Sequence, residues 1–218
     1  MTSASTPHVR ISHLQSVFAA APRMVGRKFK YSAVNDSVQS RELKVALDLL
    51  ERAGVVYRVR QTSGAGLPLD ADERNFKVAF LDVGLMQNLR GLRGEVLMAE
   101  DLLGFHAGAV AEQFVGQELL AGAEPFERPV LRYWAREART SNAEVDYLVA
   151  HGSRVLPLEV KSGKTGSLRS MHLFLKQYGS PCGVRIAQYL PHYAPPVLSI
   201  PLYAVESLGR LVAEATGR

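Results

Sequence analysis

The stretch that most constrains the fold is residues 143–161, which read AEVDYLVAHGSRVLPLEVK. The pattern predicts two short strands joined by a turn. Because side chains alternate between the two faces of a strand, Glu159 and Lys161 share a face, and Asp146 on the neighbouring strand lies within reach of them. Charges at the ends of buried strands cost free energy unless they are paired or hold a metal ion. The hairpin therefore predicts either a metal site or an ion pair.

Composition narrows the class of protein. The 218 residues are 47% hydrophobic and 22% charged, which is typical of a globular protein. The sequence shows neither an apolar run long enough to span a bilayer nor a secretory signal, so we expect a cytoplasmic protein with no membrane association. The single cysteine excludes a disulfide within the chain and a cysteine-rich zinc site. The net charge of +5 is compatible with a polyanionic partner.

The N-terminal half predicts a winged helix-turn-helix over residues 11–90, preceded by a disordered tail over residues 1–10. A short helix begins near Ile11, and the clearest helix covers residues 40–53, with Ser40 as its expected N-cap. Two strands follow, and the first of them alternates apolar with basic residues in the manner of an edge strand. Residues 91–100 have the composition of a linker.

Basic residues on this half suggest contacts with nucleic acid. Arg41 and Lys44 occupy exposed positions of the predicted helix, and Arg58 and Arg60 lie on the predicted wing. One interpretation is that these four side chains contact DNA phosphates. The other is a solvated surface on a winged helix that serves structure or protein docking, and the sequence leaves both open.

Residues 100–218 predict a second domain with the order helix, strand, strand, strand, helix, strand. This order is expected to form an α/β sandwich around a small mixed sheet. Glu112 lies beside the apolar face of the first helix, Asp146 lies on the second strand, and Glu159 and Lys161 lie on the third. On the residues alone, the pattern favours a surface ion pair, between Glu159 and Lys161 or between Asp146 and Lys161, over a metal site.

The order and spacing of Glu112, Asp146, Glu159 and Lys161 resemble the PD-(D/E)xK nuclease superfamily, which has the restriction-endonuclease-like fold. The resemblance implies that Asp146 and Glu159 bind Mg²⁺ or Mn²⁺, with Glu112 as an auxiliary ligand. It also implies that Lys161 lies at the attacking water and the phosphate. Carboxylate oxygens are suitable ligands for these hard cations.

A wider resemblance covers nearly the whole chain from residue 14 to residue 203. Over this range the chain is similar to the C-terminal region, of unknown function, of a family of prokaryotic AAA-type ATPases. The matching stretches are residues 27–31, 46–57, 67–69, 76–77, 81–85, 112–115, 131–134, 144–146 and 157–163. The resemblance implies a winged-helix segment and a nuclease-like domain, usually fused behind a nucleotide-binding domain.

The ATPase domain itself has no counterpart in this sequence. The run Gly163-Lys164-Thr165 is not a Walker A loop, because that loop needs a glycine where this chain has Leu158. We therefore expect no ATP hydrolysis by this chain alone, and Lys164 to be a loop lysine with at most an ancillary phosphate contact.

Two hypotheses for function follow. The first is an Mg²⁺-dependent phosphodiesterase that acts on DNA beside an AAA-type ATPase. The second is a catalytically inactive nuclease-like and winged-helix module that binds DNA or a partner protein, with the same charged residues forming an ion-pair network.

Overall fold

The computed structural model describes residues 9–91, 100–124, 126, 129–137, 142–163 and 166–217. Within these ranges the chain forms six α-helices and eight β-strands. The helices are α1 (Ile11–Ala20), α2 (Ser40–Arg52), α3 (Val83–Leu89), α4 (Glu100–Ala121), α5 (Arg169–Tyr178) and α6 (Leu208–Thr216). The strands are β1 (Val56–Thr62), β2 (Asp72–Phe80), β3 (Leu131–Arg136), β4 (Ala143–His151), β5 (Arg154–Val160), β6 (Gly183–Ile186), β7 (His192–Ala194) and β8 (Val197–Ile200).

All eight strands belong to one mixed sheet in the order β2-β1-β3-β4-β5-β6-β8-β7. Neighbouring strands are parallel in the pairs β1–β3, β5–β6 and β6–β8, and antiparallel in the others. The predicted α/β class is confirmed, and the segment from α4 to β6 has the predicted order of elements. None of the described helices is both long and apolar enough to cross a bilayer.

The sheet is larger than the small one predicted, because the N-terminal hairpin joins it. β1 pairs with β3 from Val59 opposite Leu131 to Thr62 opposite Trp134. β1 is therefore an internal strand, and β2 lies at the edge instead. The parallel pairing of β1 with β3 was not predicted, since it joins residues about 70 positions apart in the sequence.

Parts of the N-terminal prediction differ from the structure in detail. Two short 3₁₀ helices, Ala21–Met24 and Tyr31–Ala33, lie between α1 and α2. Ser40 is the first residue of α2, and Gln39 before it makes no side-chain capping bond. The winged-helix and nuclease-like assignments and the domain boundaries remain predictions. The predicted tail and linker lie almost entirely outside the described residues.

Helices cover both faces of the sheet. The consecutive residues Tyr133 and Trp134 of β3 belong to different core clusters, as expected when neighbouring side chains point to opposite faces. Tyr133 lies in the core shared with α4 and α6, which contribute Val115 and Val212. Trp134 packs against Phe174 of α5 with ring centroids 5.4 Å apart. A third cluster joins α1, α2 and α3 to the N-terminal hairpin.

Polar side chains of α4 fix the helix to the sheet. The amide group of Gln113 is buried, accepts a 2.8 Å hydrogen bond from the Phe80 backbone nitrogen, and donates a 2.7 Å bond to the Phe80 carbonyl oxygen. The Tyr147 hydroxyl donates a 2.9 Å bond to the carbonyl oxygen of Glu112. These bonds hold the turn of α4 that carries Glu112 beside β2 and β4.

Gly116 allows this close approach of α4 to β4. A Cβ atom at Gly116 would lie 2.6 Å from the Tyr147 hydroxyl oxygen. We expect Gly116→Ala to lower the free energy of unfolding by about 1–3 kcal/mol, because a methyl group there displaces a packed side chain. Gly108→Ala is the matched control in the same helix, where a Cβ atom would meet no atom within 4 Å. Its gain in helix propensity is up to about 1 kcal/mol. Urea denaturation measures both, and equal stability of the two variants would contradict the prediction.

Candidate functional site

The end of the β4–β5 hairpin brings the two predicted strand carboxylates together. The antiparallel register runs from His151 opposite Arg154 to Tyr147 opposite Leu158. Asp146 and Glu159 are the next residues of the two strands beyond this register, and they are close enough for the negative charge of Glu159 to act on Asp146. The Asp146 Oδ2 atom accepts a 2.8 Å hydrogen bond from the Val160 backbone nitrogen, which ties Asp146 to β5.

Lys161 lies beside Glu159, as the alternation of side chains predicted. The Lys161 Nζ atom is 2.6 Å from Glu159 Oε1. Glu159 is only 7% exposed, and its Oε2 atom is buried with no hydrogen-bond partner among the described residues. The Lys161 backbone nitrogen donates a 2.8 Å bond to the carbonyl oxygen of Ile186, so β6 fixes this end of β5. One carboxylate oxygen of Glu159 is therefore available for a further cation.

A second lysine, which sequence reasoning missed, lies among the carboxylates. Lys77 on β2 is 2% exposed. Its Nζ atom is 2.9 Å from Glu112 Oε1, 2.6 Å from Glu144 Oε1 and 4.0 Å from Asp146 Oδ1. The same atom lies 5.2 Å from the centre of the Tyr133 ring. We call Glu112, Glu144, Asp146 and Glu159 the carboxylate cluster.

Burial and charge repulsion perturb two acidic groups of this cluster, Asp146 and Glu159. Burial raises the pKa of Asp146 well above its usual value, and the negative charges of Glu112 and Glu159 raise it further. Burial also raises the pKa of Glu159, although Lys161 and Lys77 oppose that shift. Perturbed carboxyl groups of this kind are frequent at functional sites, where a proton or a cation relieves the repulsion.

The buried lysine remains charged in this setting. Burial alone would lower the pKa of Lys77, but the negative charges of Glu112, Asp146 and Glu144 outweigh burial and hold the pKa well above its usual value. Lys77 therefore acts as a fixed positive charge within the cluster.

The two residues that the sequence analysis missed carried different signals. Glu144 is two positions before Asp146 on β4, so the period of two along a strand could have identified it as a candidate site residue. Lys77 gave no local signal, because only the joining of the N-terminal hairpin to β3 brings it to the site. Its distance from Glu112 along the chain is 35 residues.

Glu112 was predicted as an auxiliary metal ligand, and in the structure it pairs with Lys77 instead. Within the described part of the chain, no three His, Cys, Asp or Glu side chains are arranged so that they could hold a metal ion. The predicted set of Asp146, Glu159 and Glu112 is thus not a preassembled three-ligand site. Mg²⁺ commonly binds through one or two carboxylates and retains waters, which leaves Asp146 and Glu159 as the candidate pair.

The two arginines of the N-terminal hairpin that were predicted to contact phosphates pair with acidic side chains of the protein. Arg58 is 6% exposed, its Nη1 atom pairs with Glu51 Oε2, and its Nη2 atom lies 2.5 Å from Asp48 Oδ1. The Arg60 Nε atom lies 3.0 Å from a carboxylate oxygen of Glu73. Because their charges are already paired within the protein and Arg58 is buried, neither side chain has the free, exposed charge that the prediction required.

The other predicted contacts have different outcomes. Arg41 and Lys44 are exposed on α2, so a phosphate contact by these two residues stays a prediction. Lys164 lies outside the described residues.

Comparisons with known families divide the chain into two matched segments. Residues 107–194 match the model of a domain of unknown function, DUF4143, and residues 3–96 match that of another, DUF8612. DUF4143 is commonly found with AAA ATPases, which confirms this coarser part of the predicted resemblance. The first segment contains the carboxylate cluster, and the second contains Lys77. No curated protein shows significant similarity to the chain.

The Arg58 ion pair predicts a loss of stability on substitution. Arg58→Met should lower the free energy of unfolding by about 3 kcal/mol, because it leaves the carboxylate of Glu51 buried without its main partner. Arg41→Met, on the exposed face of the neighbouring helix, should change stability by less than about 0.5 kcal/mol. Chemical denaturation checks both values. An equally small change in the free energy of unfolding for both variants would show that the Arg58 ion pair does not stabilise the N-terminal hairpin.

Proposed function

We propose that this chain is an Mg²⁺-dependent phosphodiesterase module that acts on DNA. The observation that carries the proposal is the meeting of Asp146 and Glu159 at the end of the β4–β5 hairpin, with Lys161 at 2.6 Å from Glu159. The order from α4 through β3, β4, β5 and α5 to β6 supports it, since this is the order on which the resemblance to PD-(D/E)xK nucleases rests.

The residues present fit one divalent cation. Glu159 Oε2 is a buried carboxylate oxygen without a hydrogen-bond partner among the described residues, which is costly unless a proton or cation occupies that side. Asp146 stands next to it with a pKa raised by burial and by its acidic neighbours. Asp146 and Glu159 would hold the ion, which supplies Lewis acidity towards a phosphoryl oxygen when bound.

The chain's own groups have distinct tasks in this proposal. The Val160 backbone nitrogen holds Asp146 Oδ2 and so fixes the orientation of that carboxylate. The Lys161 ammonium, paired with Glu159 Oε1 and partly exposed, stabilises negative charge on the phosphate and orients the attacking water. Glu112 acts through Lys77 as a positioning residue, because its carboxylate is engaged by that lysine.

An AAA-type ATPase is the proposed partner. The support is the match of residues 107–194 to a domain that is commonly found with AAA ATPases. In this arrangement the ATPase remodels or moves the nucleic acid, and this chain supplies the phosphodiesterase site.

The alternative function is a non-catalytic scaffold that binds DNA or a partner protein. Two observations favour it specifically. Lys77 already fills the space between Glu112, Glu144 and Asp146. Arg58 and Arg60 of the N-terminal hairpin are paired with acidic side chains of the protein. A cluster closed in this way stabilises the contact between β2, α4 and β4 without any need for catalysis.

Plasmid nicking tests the proposed activity. We expect the chain to convert supercoiled plasmid to the open-circular form with Mg²⁺ or Mn²⁺ and to lose this activity in EDTA. Glu159→Gln and Lys161→Met should each reduce the rate at least about 100-fold, since each removes a group placed at the metal or at the phosphate.

Glu214→Gln provides the control for the nicking assay. Glu214 is exposed on α6, where it pairs with Arg210 at 2.8 Å, so its amide variant should nick at the wild-type rate. Equal rates in all variants would identify a contaminating nuclease. A complete lack of nicking by the folded wild-type chain on single-stranded, double-stranded and branched DNA would favour the scaffold.

Salt-dependent DNA binding separates the two versions of the scaffold. If Arg41 and Lys44 contact phosphates, the double variant Arg41→Ala/Lys44→Ala should reduce the slope of log affinity against log salt by about 2. Arg210→Ala, on the exposed face of α6, should leave the slope unchanged. Fluorescence anisotropy over a salt series measures this. An unchanged slope in the double variant contradicts the assignment of a DNA-binding surface to α2.

A further inference from the structure

Lys77 is a buried charged group to which the proposed reaction assigns no role of its own. We propose that its ammonium group takes the place of a second divalent cation in the carboxylate cluster. The site then binds one metal ion rather than two, and the N-terminal segment completes it. The inference deepens the proposed function, on which it rests for the first ion.

The contacts of Lys77 are those of a cation enclosed by carboxylate oxygens. Its Nζ atom lies 2.9 Å from Glu112 Oε1 and 2.6 Å from Glu144 Oε1, with Asp146 Oδ1 at 4.0 Å. Sites with two metal ions place the ions about 3.5–4 Å apart and share a carboxylate between them. Asp146 occupies the corresponding shared position, since its Oδ1 atom faces Lys77 and its Oδ2 atom faces β5.

The charges of the cluster leave room for one divalent ion. When all groups are ionised, the four carboxylates of the cluster face two ammonium groups, those of Lys77 and Lys161. One divalent cation compensates the remaining two negative charges. A second divalent ion beside the Lys77 ammonium would leave an excess of two positive charges within a buried site, and this excess falls to one when the Lys77 charge is removed.

Burial prevents Lys77 from making way for a metal ion. The side chain is 2% exposed, and Lys77 is held in the β1–β2 ladder opposite Val59. The Tyr133 ring closes the site on another side, 5.2 Å from Nζ. By contrast, Glu159 Oε2 is buried and makes no hydrogen bond within the described structure. The first ion therefore belongs at Asp146 and Glu159, away from Lys77.

This arrangement makes the two matched segments of the chain interdependent. Lys77 comes from the segment that matches DUF8612, and the carboxylates come from the segment that matches DUF4143. The segment that matches DUF4143 would by itself present Glu112, Glu144 and Asp146 without the counter-charge of Lys77.

Counting bound Mn²⁺ ions on the full chain tests the inference. A titration followed by the electron paramagnetic resonance signal of free Mn²⁺ should give one ion per wild-type chain. Lys77→Met keeps the apolar stem and removes the charge, so it should bind one ion more than the wild type. Lys28→Met is the matched control, because Lys28 is exposed and its nearest acidic partner, Glu137, lies 3.9 Å away. It should bind the wild-type number.

A second set of variants keeps the test decisive if Lys77→Met does not fold. Glu112→Gln and Glu144→Gln retain Lys77 and remove one of its partners each. Because these two carboxylates serve Lys77, each variant should still bind one Mn²⁺, with an affinity within about threefold of wild type. Loss of the ion in Glu112→Gln would make Glu112 a metal ligand and overturn the inference. Thermal melting identifies which variants are folded.

The outcomes for the inference and for the proposed function can be told apart. Two Mn²⁺ ions on the wild-type chain would overturn the inference and leave the proposed function supported. No ion on the wild type but one on folded Lys77→Met would refute the proposed metal-dependent activity and the single bound ion, and would support only the replacement of a cation by Lys77. The same number on wild type and folded Lys77→Met would overturn the inference.

Discussion

The buried ammonium group of Lys77 is the interaction on which the arrangement of this site depends. Burying a charged lysine until it is 2% exposed costs several kcal/mol of desolvation, and only the attraction of surrounding acidic partners offsets this cost. Those partners come from α4 and β4, so β2 must lie where both can reach it. The hydrogen bonds of Gln113 to Phe80 and of Tyr147 to the Glu112 carbonyl hold the same three elements in place. The ion pairs of Lys77 and these side-chain-to-backbone hydrogen bonds thus select the same arrangement of β2, α4 and β4.

The same principle accounts for the N-terminal hairpin. β1 alternates apolar and basic residues, a pattern that sequence reasoning assigns to an exposed edge strand. In the structure β1 is internal, and Arg58 finds Glu51 and Asp48 on α2. A buried arginine with two carboxylate partners is stable where a lone one is not. Arg58 and Arg60, two of the basic residues that suggested nucleic-acid contact, thus pair with acidic side chains of α2 and hold it against the sheet.

Local patterns predicted much of the secondary structure, and non-local pairing supplied the rest. The period of two placed Asp146, Glu159 and Lys161 at one hairpin end, and the period of 3.6 found α2, α5 and the centre of α4. The parallel pairing of β1 with β3 and the ion pairs of Lys77 join positions far apart in sequence, so no window of residues shows them. Glu144 is the exception, because the same alternation that placed Asp146 also places it. β7 was missed since three residues in a proline-rich stretch give too short a pattern.

The two candidate functions make the same use of Lys77 and differ over Glu159. A scaffold needs no buried carboxylate oxygen that lacks a hydrogen-bond partner, and replacing both members of a buried pair with apolar groups is often neutral or stabilising. Here the negative charge of Glu159 adds to the burial that raises the pKa of Asp146, so the two carboxylates repel each other at the end of the β4–β5 hairpin. Stability alone therefore gives no reason for this arrangement. A cation between the two carboxylates would relieve the repulsion and would give a partner to the oxygen that has none among the described residues, and this is the physical support for the proposed metal site.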